Sequence, residues 1–386
     1  MYFEPTPDQQ SIRSAVREFA RAELAPGYLA RAQSDEFPWH LHQAVAKLGT
    51  FGLLAGAEHN PLSDTDFVAA GLVIEELAYA DFNLANAAIP AMLIAALIAD
   101  HASVAVRERW LAPIVRGELY VGLCLTEPDT GSDVAAIRTT ATATGDGYVL
   151  RGEKTSVTML RNSAAVVVIA KTYRGGEYVG PSAFLVPTDS PGIATSAVPD
   201  TGWRPLARGV LHLDDVAVPA FALMAAEGAA FRTLLGGFDF TRPLLALTGI
   251  GCAQACVDET ANYLKQRQVF GSPLASFEGA SFPLAEHATR LQAARLLCYS
   301  ALWHRAEGRP HTALAAMCKW FGPEQASRTV HDCLLLHGNY GYSTELPFEQ
   351  RLRDVLAVEI ADGTAQIQKI IIARDLFGRE FVPYRR

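Results

Sequence analysis

The sequence predicts an α+β protein that is mostly α-helical and is built in three consecutive parts. Residues 1–118 carry apolar side chains at three- and four-residue spacing, which is typical of amphipathic helices. Residues 119–225 are rich in valine, threonine and glycine and alternate in short runs, which predicts a β domain of roughly 100 residues. Helical spacing returns over residues 226–386, in segments long enough to form a helical bundle.

The composition is typical of a soluble globular protein. Of the 386 residues, 50% are hydrophobic and 19% are charged, which suits two or three packed units with a buried core. A net charge of -8 argues against a nucleic-acid-binding surface, because phosphates require a basic one. The N-terminus lacks the basic and apolar segments of a signal peptide, and no metal-ligand motif is identified. A cytoplasmic protein without a membrane span is expected.

Two features look functional but have structural explanations. The six cysteines contain no Cys-x-x-Cys pair, so small buried thiols in a reducing compartment are the favoured interpretation. The segment Leu84–Ala99 is very apolar, but it holds Asn86 and Pro90 and falls short of the ~20 residues that a membrane span needs. It is predicted to be a buried helix.

The first part opens on a strong helix-start signal. Thr6, Pro7 and Gln9 supply a hydroxyl cap, a proline at the first helical position and the glutamine of a capping box. Ile12 and Val16 then begin an apolar face. Further helices are predicted at Trp39–Leu48, Phe67–Tyr79, Leu84–Ala99 and Ser103–Val115.

The second part predicts strands and the third part predicts long helices. Residues 139–144 alternate, residues 145–147 form a Gly-Asp-Gly turn, and Tyr148 starts the returning strand of a hairpin. Further strands are predicted at Ala165–Lys171, Ser182–Pro187 and Val210–Leu213. Long helices are predicted at Phe240–Gln266, Pro283–Ala306, His311–Leu336 and Glu359–Leu376.

Three polar segments interrupt this pattern. Leu123–Asp133 ends a strand and enters a Gly-Ser turn, which either offers N–H groups to a phosphate or flavin edge or is an ordinary capped turn. Lys154–Thr158 places a serine and a threonine on the next strand. Ile360–Gln368 carries Asp362 in an Asp-Gly-Thr sequence before an apolar helix, where an aspartate can serve as N-cap.

These segments resemble the acyl-CoA dehydrogenase family, and the resemblance covers most of the chain. It implies bound FAD and the family's fold, an N-terminal helical domain, a β-barrel-like domain and a C-terminal four-helix bundle. The resemblance places Leu125 and Thr126 against the flavin ring system. It places Gly131 and Ser132 where the cofactor diphosphate and the thioester substrate meet.

Two further segments depart from the family in informative ways. Thr158 falls where a hydroxyl bonds flavin N5, the atom that receives hydride, but Ser156 replaces a tryptophan that usually packs against the flavin. Arg242 is implied to lie near the substrate and the catalytic acid, with a salt bridge at a helix N-terminus as its structural alternative. A subset of the family carries its base just before this arginine, and here that substrate-side position is Thr241.

Asp362 stands where the family has its catalytic glutamate. Desaturation requires a carboxylate that removes a carbon proton and N–H groups that stabilise charge on the thioester carbonyl. Aspartate keeps both groups but is shorter by ~1.5 Å, about one C–C bond. Ala361 replaces a bulky aromatic residue, so Ala361, Asp362 and Ser156 suggest a reshaped substrate pocket. By resemblance, Gly363 is also expected to contact the substrate.

The remaining motif positions imply a cofactor site shared between subunits. By resemblance, Arg267 and Phe270 hold the FAD of a neighbouring subunit, and Gly338 approaches it. Thr364 and Gln366 occupy family positions for similar contacts. A homodimer or homotetramer is therefore expected.

The function that this resemblance implies is FAD-dependent desaturation of an acyl thioester carried by coenzyme A or an acyl carrier protein. The altered pocket favours an α,β-unsaturated substrate desaturated at γ,δ, or a branched or alicyclic one. Electron-transferring flavoprotein is the expected acceptor. Two alternatives stay open: a flavin oxidase resembling nitroalkane oxidases, whose base is an aspartate, and a non-catalytic flavin- or thioester-binding protein in which Asp362 is only a cap.

Overall fold

The N-terminal part of the chain is helical, as predicted. The computed structural model describes residues 4–62 and 64–381. The capping box at the first helix is confirmed, because the Gln9 N–H donates to Thr6 Oγ1 at 3.3 Å and the Thr6 N–H donates to Gln9 Oε1 at 3.0 Å. The helices of this part are α1 (Pro7–Phe19), continued by a π-helical turn (Ala20–Leu24), α2 (Tyr28–Ala32), α3 (Trp39–Lys47), α4 (Phe67–Ala80), α5 (Phe82–His101) and α6 (Val104–Val115).

Helix α5 lies almost entirely within the hydrophobic core. It is long and apolar enough to cross a membrane, but 89% of its most hydrophobic window is buried inside the fold. Asp81 caps its N-terminus through the amides of Asn83 and Leu84. The prediction of a buried helix here is confirmed, as is the burial of the six free cysteines.

The middle part forms one eight-stranded mixed sheet. Its strands are β1 (Tyr120–Cys124), β2 (Thr140–Ala143), β3 (Gly147–Val157), β4 (Ser163–Arg174), β5 (Glu177–Pro187), β6 (Ile193–Ala197), β7 (Gly209–Pro219) and β8 (Leu223–Met224). They run in the order β6-β7-β3-β2-β4-β5-β8, and β1 pairs in parallel with β4. The predicted hairpin is β2 with β3. Since β6 and β8 do not pair in the described chain, the sheet stays open at its edges.

Long helices form the last part, with a short hairpin between the first two. They are α7 (Ala230–Gln266), β9 (Gln268–Val269), β10 (Ser272–Pro273), α8 (Glu278–Ala306), α9 (Thr312–Leu336), α10 (Phe348–Ile360) and α11 (Ala365–Phe377).

Two predictions about these helices were wrong. Helix α7 begins ten residues before the predicted Phe240, because Gly236 and Gly237 are poor helix formers that hide its first turns from a propensity argument. A Cβ on Gly237 would lie 2.8 Å from Leu93 Cδ1, so this glycine lets α7 pack closely on α5. The predicted continuous helix Glu359–Leu376 is instead two helices separated by residues 361–364.

Candidate active site

The turn between α10 and α11 presents Asp362. Its backbone is left-handed at Asp362 (φ 53°) and Gly363 (φ 97°), which ends α10 at Ile360 and reverses the chain before Ala365. Aspartate tolerates this conformation better than most residues, and glycine adopts it without a steric penalty. The Asp-Gly pair therefore explains why the helix is interrupted here although the residues on both sides are apolar.

The Asp362 carboxylate contacts a buried hydroxyl group on α7. Thr241 Oγ1 donates to Asp362 Oδ2 at 2.9 Å, and Thr241 is only 1% exposed. The N-cap of α11 is Thr364, and no side-chain oxygen caps that helix. The proposal that Asp362 is an N-cap is therefore wrong, and its carboxylate points toward α7 instead.

Arg242 lies beside the same turn. Its Nη1 pairs with Asp239 Oδ1 at 3.1 Å, its Nε donates to the Asp362 carbonyl at 3.4 Å, and Thr312 Oγ1 donates to Asp239 at 2.6 Å. Burial lowers the pKa of Arg242, although Asp239 and Asp362 act in the opposite direction. The structural alternative of a salt bridge at a helix N-terminus was wrong, because Asp239 and Arg242 lie in the interior of α7.

Two residues that the sequence analysis did not single out donate hydrogen bonds to the carbonyl groups of this turn, one from α11 and one from α9. Gln368 Nε2 donates to the carbonyl oxygens of Asp362 and Gly363, at 3.0 and 2.9 Å, and Lys319 Nζ donates to that of Gly363 at 3.3 Å. Both side chains are almost completely buried. A lysine between Cys318 and Trp320 in an apolar helix was the available signal, because charged side chains are rarely fully buried without a purpose.

The first two polar segments converge at the end of β1 and β3. The Thr155 N–H donates to the Thr126 carbonyl at 2.9 Å, and Lys154 Nζ donates to the Leu125 carbonyl at 3.0 Å and to Glu127 Oε1 at 2.8 Å. Burial would raise the pKa of Glu127, but the hydrogen bonds from Lys154 and from neighbouring residues outweigh it and lower that pKa. This buried ion pair thus fixes Leu125 and Thr126 against the β3 strand end.

The side chains around this ion pair are accessible to a ligand. Thr126 and Thr158 are half-buried, Ser156 is exposed with a left-handed backbone (φ 58°), and Gly131 and Ser132 are exposed on the following turn. The position that a Cβ would take on Gly131 has no atom within 4 Å. The arrangement offers hydroxyls, amides and open space beyond the C-terminal ends of β1 and β3.

The third group of predicted residues lies at the other end of the bundle. Gln266 ends α7 about 38 Å along the helix axis from Thr241, at about 1.5 Å per residue. Arg267 follows it, and Phe270 is 98% exposed on the β9–β10 hairpin. The ring of Tyr263 in the same region stacks on the residue before Gly338. Arg267, Phe270 and Gly338 are therefore far from Asp362 within one chain.

Comparison with known proteins identifies the family. Residues 6–118, 122–216 and 228–377 match, respectively, the N-terminal, middle and C-terminal domains of acyl-CoA dehydrogenase. The chain belongs to the acyl-CoA dehydrogenase family.

Its relatives in this family cover the chain almost completely. It is 34% identical to the probable acyl-CoA dehydrogenase YngJ of Bacillus subtilis (strain 168), over 97% of this chain and 100% of that protein. It is 32% identical to the 3-(aryl)acrylate reductase of Clostridium sporogenes, over 97% and 100%. The solved butyryl-CoA dehydrogenase from Megasphaera elsdenii superposes with a TM-score of 0.92 at 30% identity, covering 97% of this chain and 100% of that one.

This acyl-CoA dehydrogenase is a flavoprotein oxidoreductase that acts on CH–CH bonds of acyl thioesters and uses FAD. The FAD complex of PigA, a solved structure with a TM-score of 0.91 at 25% identity, covers 98% of this chain and 100% of that one. The hydroxyls of Thr126 and Thr158 and the open turn at Gly131 suit a flavin and its phosphates, because they offer hydrogen bonds without occupying the space.

Proposed function

We propose that this protein desaturates an acyl thioester with Asp362 as the catalytic base. The observation that supports this most directly is the 2.9 Å hydrogen bond from the buried Thr241 hydroxyl to Asp362 Oδ2. It orients the carboxylate and leaves Oδ1 without a hydrogen-bond partner among residues 4–62 and 64–381. A carboxylate held on one oxygen and open on the other is suited to receive a proton from a bound carbon acid.

The backbone of the same turn supports the second requirement of the reaction. The Asp362 N–H donates no hydrogen bond within the described residues, so it is available to the thioester carbonyl. Bound FAD supplies a hydride acceptor at N5. The flavin is proposed to be oriented by Thr126, Ser156 and Thr158 and to pack against Leu125. Gly131 and Ser132 are proposed to contact the ligands where the FAD diphosphate and the thioester meet. Thr241, Arg242, Ala361 and Gly363 are proposed to surround the reacting carbons.

The shorter base argues for a specialised substrate. Aspartate reaches ~1.5 Å less far than glutamate, and a misplacement of ~1 Å can cost ~100-fold in rate. Thr241 also holds the carboxylate on the α7 side. An α,β-unsaturated thioester has an acidic γ proton at a different position, and a branched or alicyclic acyl group would fill the space beside Ala361. Either class would suit the site better than a saturated straight chain, on coenzyme A or on an acyl carrier protein.

The separation of the motif residues supports a cofactor site built by two subunits. Because Arg267, Phe270 and Gly338 lie far from Asp362, they are proposed to bind the FAD of a neighbouring subunit, with Thr364 and Gln366 completing the site. The almost fully exposed Phe270 ring is expected to be covered in that assembly. A homodimer or homotetramer in the cytoplasm, with electron-transferring flavoprotein as acceptor, is the proposed working form.

Anaerobic reduction of the bound flavin tests this function. We expect one class in a panel of saturated, branched, alicyclic and α,β-unsaturated thioesters to bleach the flavin. Asp362→Asn should slow bleaching at least 100-fold, on the order expected for a lost general base. Asp362→Glu should shift the preference toward saturated straight-chain thioesters, because it restores the missing methylene.

Three results would contradict the proposal. Full-rate bleaching by Asp362→Asn would exclude this carboxylate as the base. Rapid oxygen consumption with nitroalkanes, without response to thioesters, would favour the oxidase alternative. Tightly bound flavin that no substrate of either kind reduces would favour a non-catalytic role.

A further inference from the structure

Lys319 is a buried cation directly beneath the turn that carries Asp362. It lies on α9, its side chain is 1% exposed, and its Nζ donates to the Gly363 carbonyl at 3.3 Å. Moving an ammonium out of water is costly unless polar or charged groups replace its hydration. Lys319 forms no salt bridge with a carboxylate in the described part of the chain, so the Gly363 carbonyl is its direct partner.

The turn depends on inward-facing carbonyl groups. The left-handed backbone of Asp362 and Gly363 directs both carbonyls toward the bundle, where Gln368 bonds to both and Arg242 bonds to that of Asp362. Lys319 is the second donor to Gly363 and approaches from a different helix. Its loss would leave that carbonyl bound to α11 alone.

We propose that Lys319 is a positioning residue whose ammonium group fixes the turn that carries Asp362 and thereby places the catalytic carboxylate. The inference rests on the proposed role of Asp362 as the base. Lys319 touches neither substrate nor flavin in this proposal; it acts through the Gly363 carbonyl.

The burial of Lys319 makes its contact with the turn sensitive to pH. Burial lowers the pKa of Lys319 to about 8, with Arg242 acting in the same direction and Asp362 and Glu359 opposing it. Glu324 and Arg328 on α9 and Lys369 on α11 line the groove beside it. As pH rises through about 8 the ammonium loses its proton, its bond to Gly363 weakens, and the turn is expected to loosen.

Lys319→Met tests the proposal, with Lys369→Met as a matched control. Lys369 lines the same groove but lies over the Trp320 ring at 4.6 Å, and it forms no hydrogen bond to the turn in the described structure. Two amides of this turn donate hydrogen bonds, Ala361 to the Ala357 carbonyl and Gln368 to the Thr364 carbonyl, both at 3.0 Å. Their hydrogen exchange should quicken in Lys319→Met and stay unchanged in Lys369→Met. The rate of flavin reduction should fall about 10- to 100-fold in Lys319→Met alone, as expected for a base displaced by a fraction of an ångström to ~1 Å.

The pH dependence of the rate and a conservative variant distinguish a positioning role of Lys319 from a general loss of structure. The wild-type reduction rate should fall as pH rises through about 8, and Lys319→Met should lack this step. Lys319→Arg, which keeps the charge and the donors, should recover part of the rate. Wild-type exchange and rate in Lys319→Met would overturn the proposal.

Hydrogen exchange reports on the turn whether or not the proposed reaction takes place. If no thioester reduces the wild-type flavin, the proposed reaction fails, but the protection of the Ala361 and Gln368 amides still tests whether Lys319 holds the turn. If Lys319→Met does not fold, hydrogen exchange of the wild-type protein is measured from about pH 7 to about pH 9 and corrected for intrinsic exchange. Constant protection of the Ala361 and Gln368 amides over this range would overturn the proposal.

Discussion

Thr241 is the residue of α7 that orients the Asp362 carboxylate, through its hydroxyl group. Thr241 is fully packed, so its side chain has little freedom and its 2.9 Å bond to Oδ2 selects one orientation of the acid. The position of the carboxylate thus depends both on the α10–α11 turn and on a hydroxyl of α7.

Thr241→Val is expected to lower the rate of flavin reduction about tenfold, which corresponds to about 1.4 kcal/mol of lost orientation. Valine keeps the shape of threonine but cannot donate to Asp362. Thr248→Val is the matched control, because Thr248 is equally buried on α7 and donates to the Leu245 carbonyl within its own helix. Stopped-flow reduction at saturating thioester measures both variants, and equal rates for the two would contradict the role of Thr241.

The motif residues could be picked out from the sequence, whereas the residues that hold the turn of Asp362 in place could not. The spacing of Leu125, Thr126 and Asp362 within their segments was visible in the sequence. The contributions of Lys319 and Gln368 depend on which backbone carbonyls face the bundle, and no local pattern reports that. Helical periodicity places a lysine on the surface by default, so only its apolar neighbours hinted at burial.

The break between α10 and α11 decides where the acid points. The apolar spacing continues from Val358 through Ile360 to Ile367, so periodicity alone predicts one uninterrupted helix. The Asp-Gly pair overrides it, because two consecutive left-handed residues cannot continue an α-helix. The order of the three parts, helical, β and helical, followed from the sequence. The break between α10 and α11 and the early start of α7 did not, because both depend on backbone geometry and packing.

Gly363→Ala is expected to destabilise the protein by about 1–3 kcal/mol. Gly363 has φ 97°, and a Cβ there would lie 2.7 Å from Gln368 Nε2, so alanine strains the backbone and displaces a turn contact. Gly279→Ala on α8 is the control, because a Cβ there meets no atom within 4 Å and its φ is not in the left-handed range. The control should be neutral or stabilising by up to about 1 kcal/mol. Thermal unfolding of both variants measures the difference, and equal melting temperatures would contradict the strain argument.

Asp354 joins all three parts of the molecule through one buried carboxylate. It lies on α10 and is 1% exposed. Its Oδ1 accepts from the Trp203 N–H of the middle part at 2.8 Å, and its Oδ2 accepts from Asn83 Nδ2 of α5 at 3.2 Å and from Gln350. The Trp203 indole N–H also donates to the Asp354 carbonyl, at 2.9 Å. This junction sets how the sheet and the helices that form the active site meet.

The junction makes the stability of the whole protein depend on pH. Burial raises the pKa of Asp354 to about 7 from its ordinary 3.8, although the bonds from Trp203 and Asn83 oppose the shift. Because the folded pKa lies above the unfolded one, the contribution of Asp354 is fully present below about pH 3.8 and is lost as pH rises through about 7. His42, whose pKa burial lowers to about 3, acts in the opposite sense below about pH 6.5.

Asp354→Asn removes this titration while keeping the shape of the side chain, so the two proteins should differ in a pH-dependent way. The melting temperature of the wild type minus that of Asp354→Asn should shrink as pH rises from about 4 to about 7 and level off above about 8. His42 is present in both proteins, so its effect cancels in the difference. Thermal unfolding of both proteins at matched flavin occupancy across this range measures it. Parallel curves would mean that Asp354 keeps one protonation state in the folded protein, because a fixed charge contributes a constant difference.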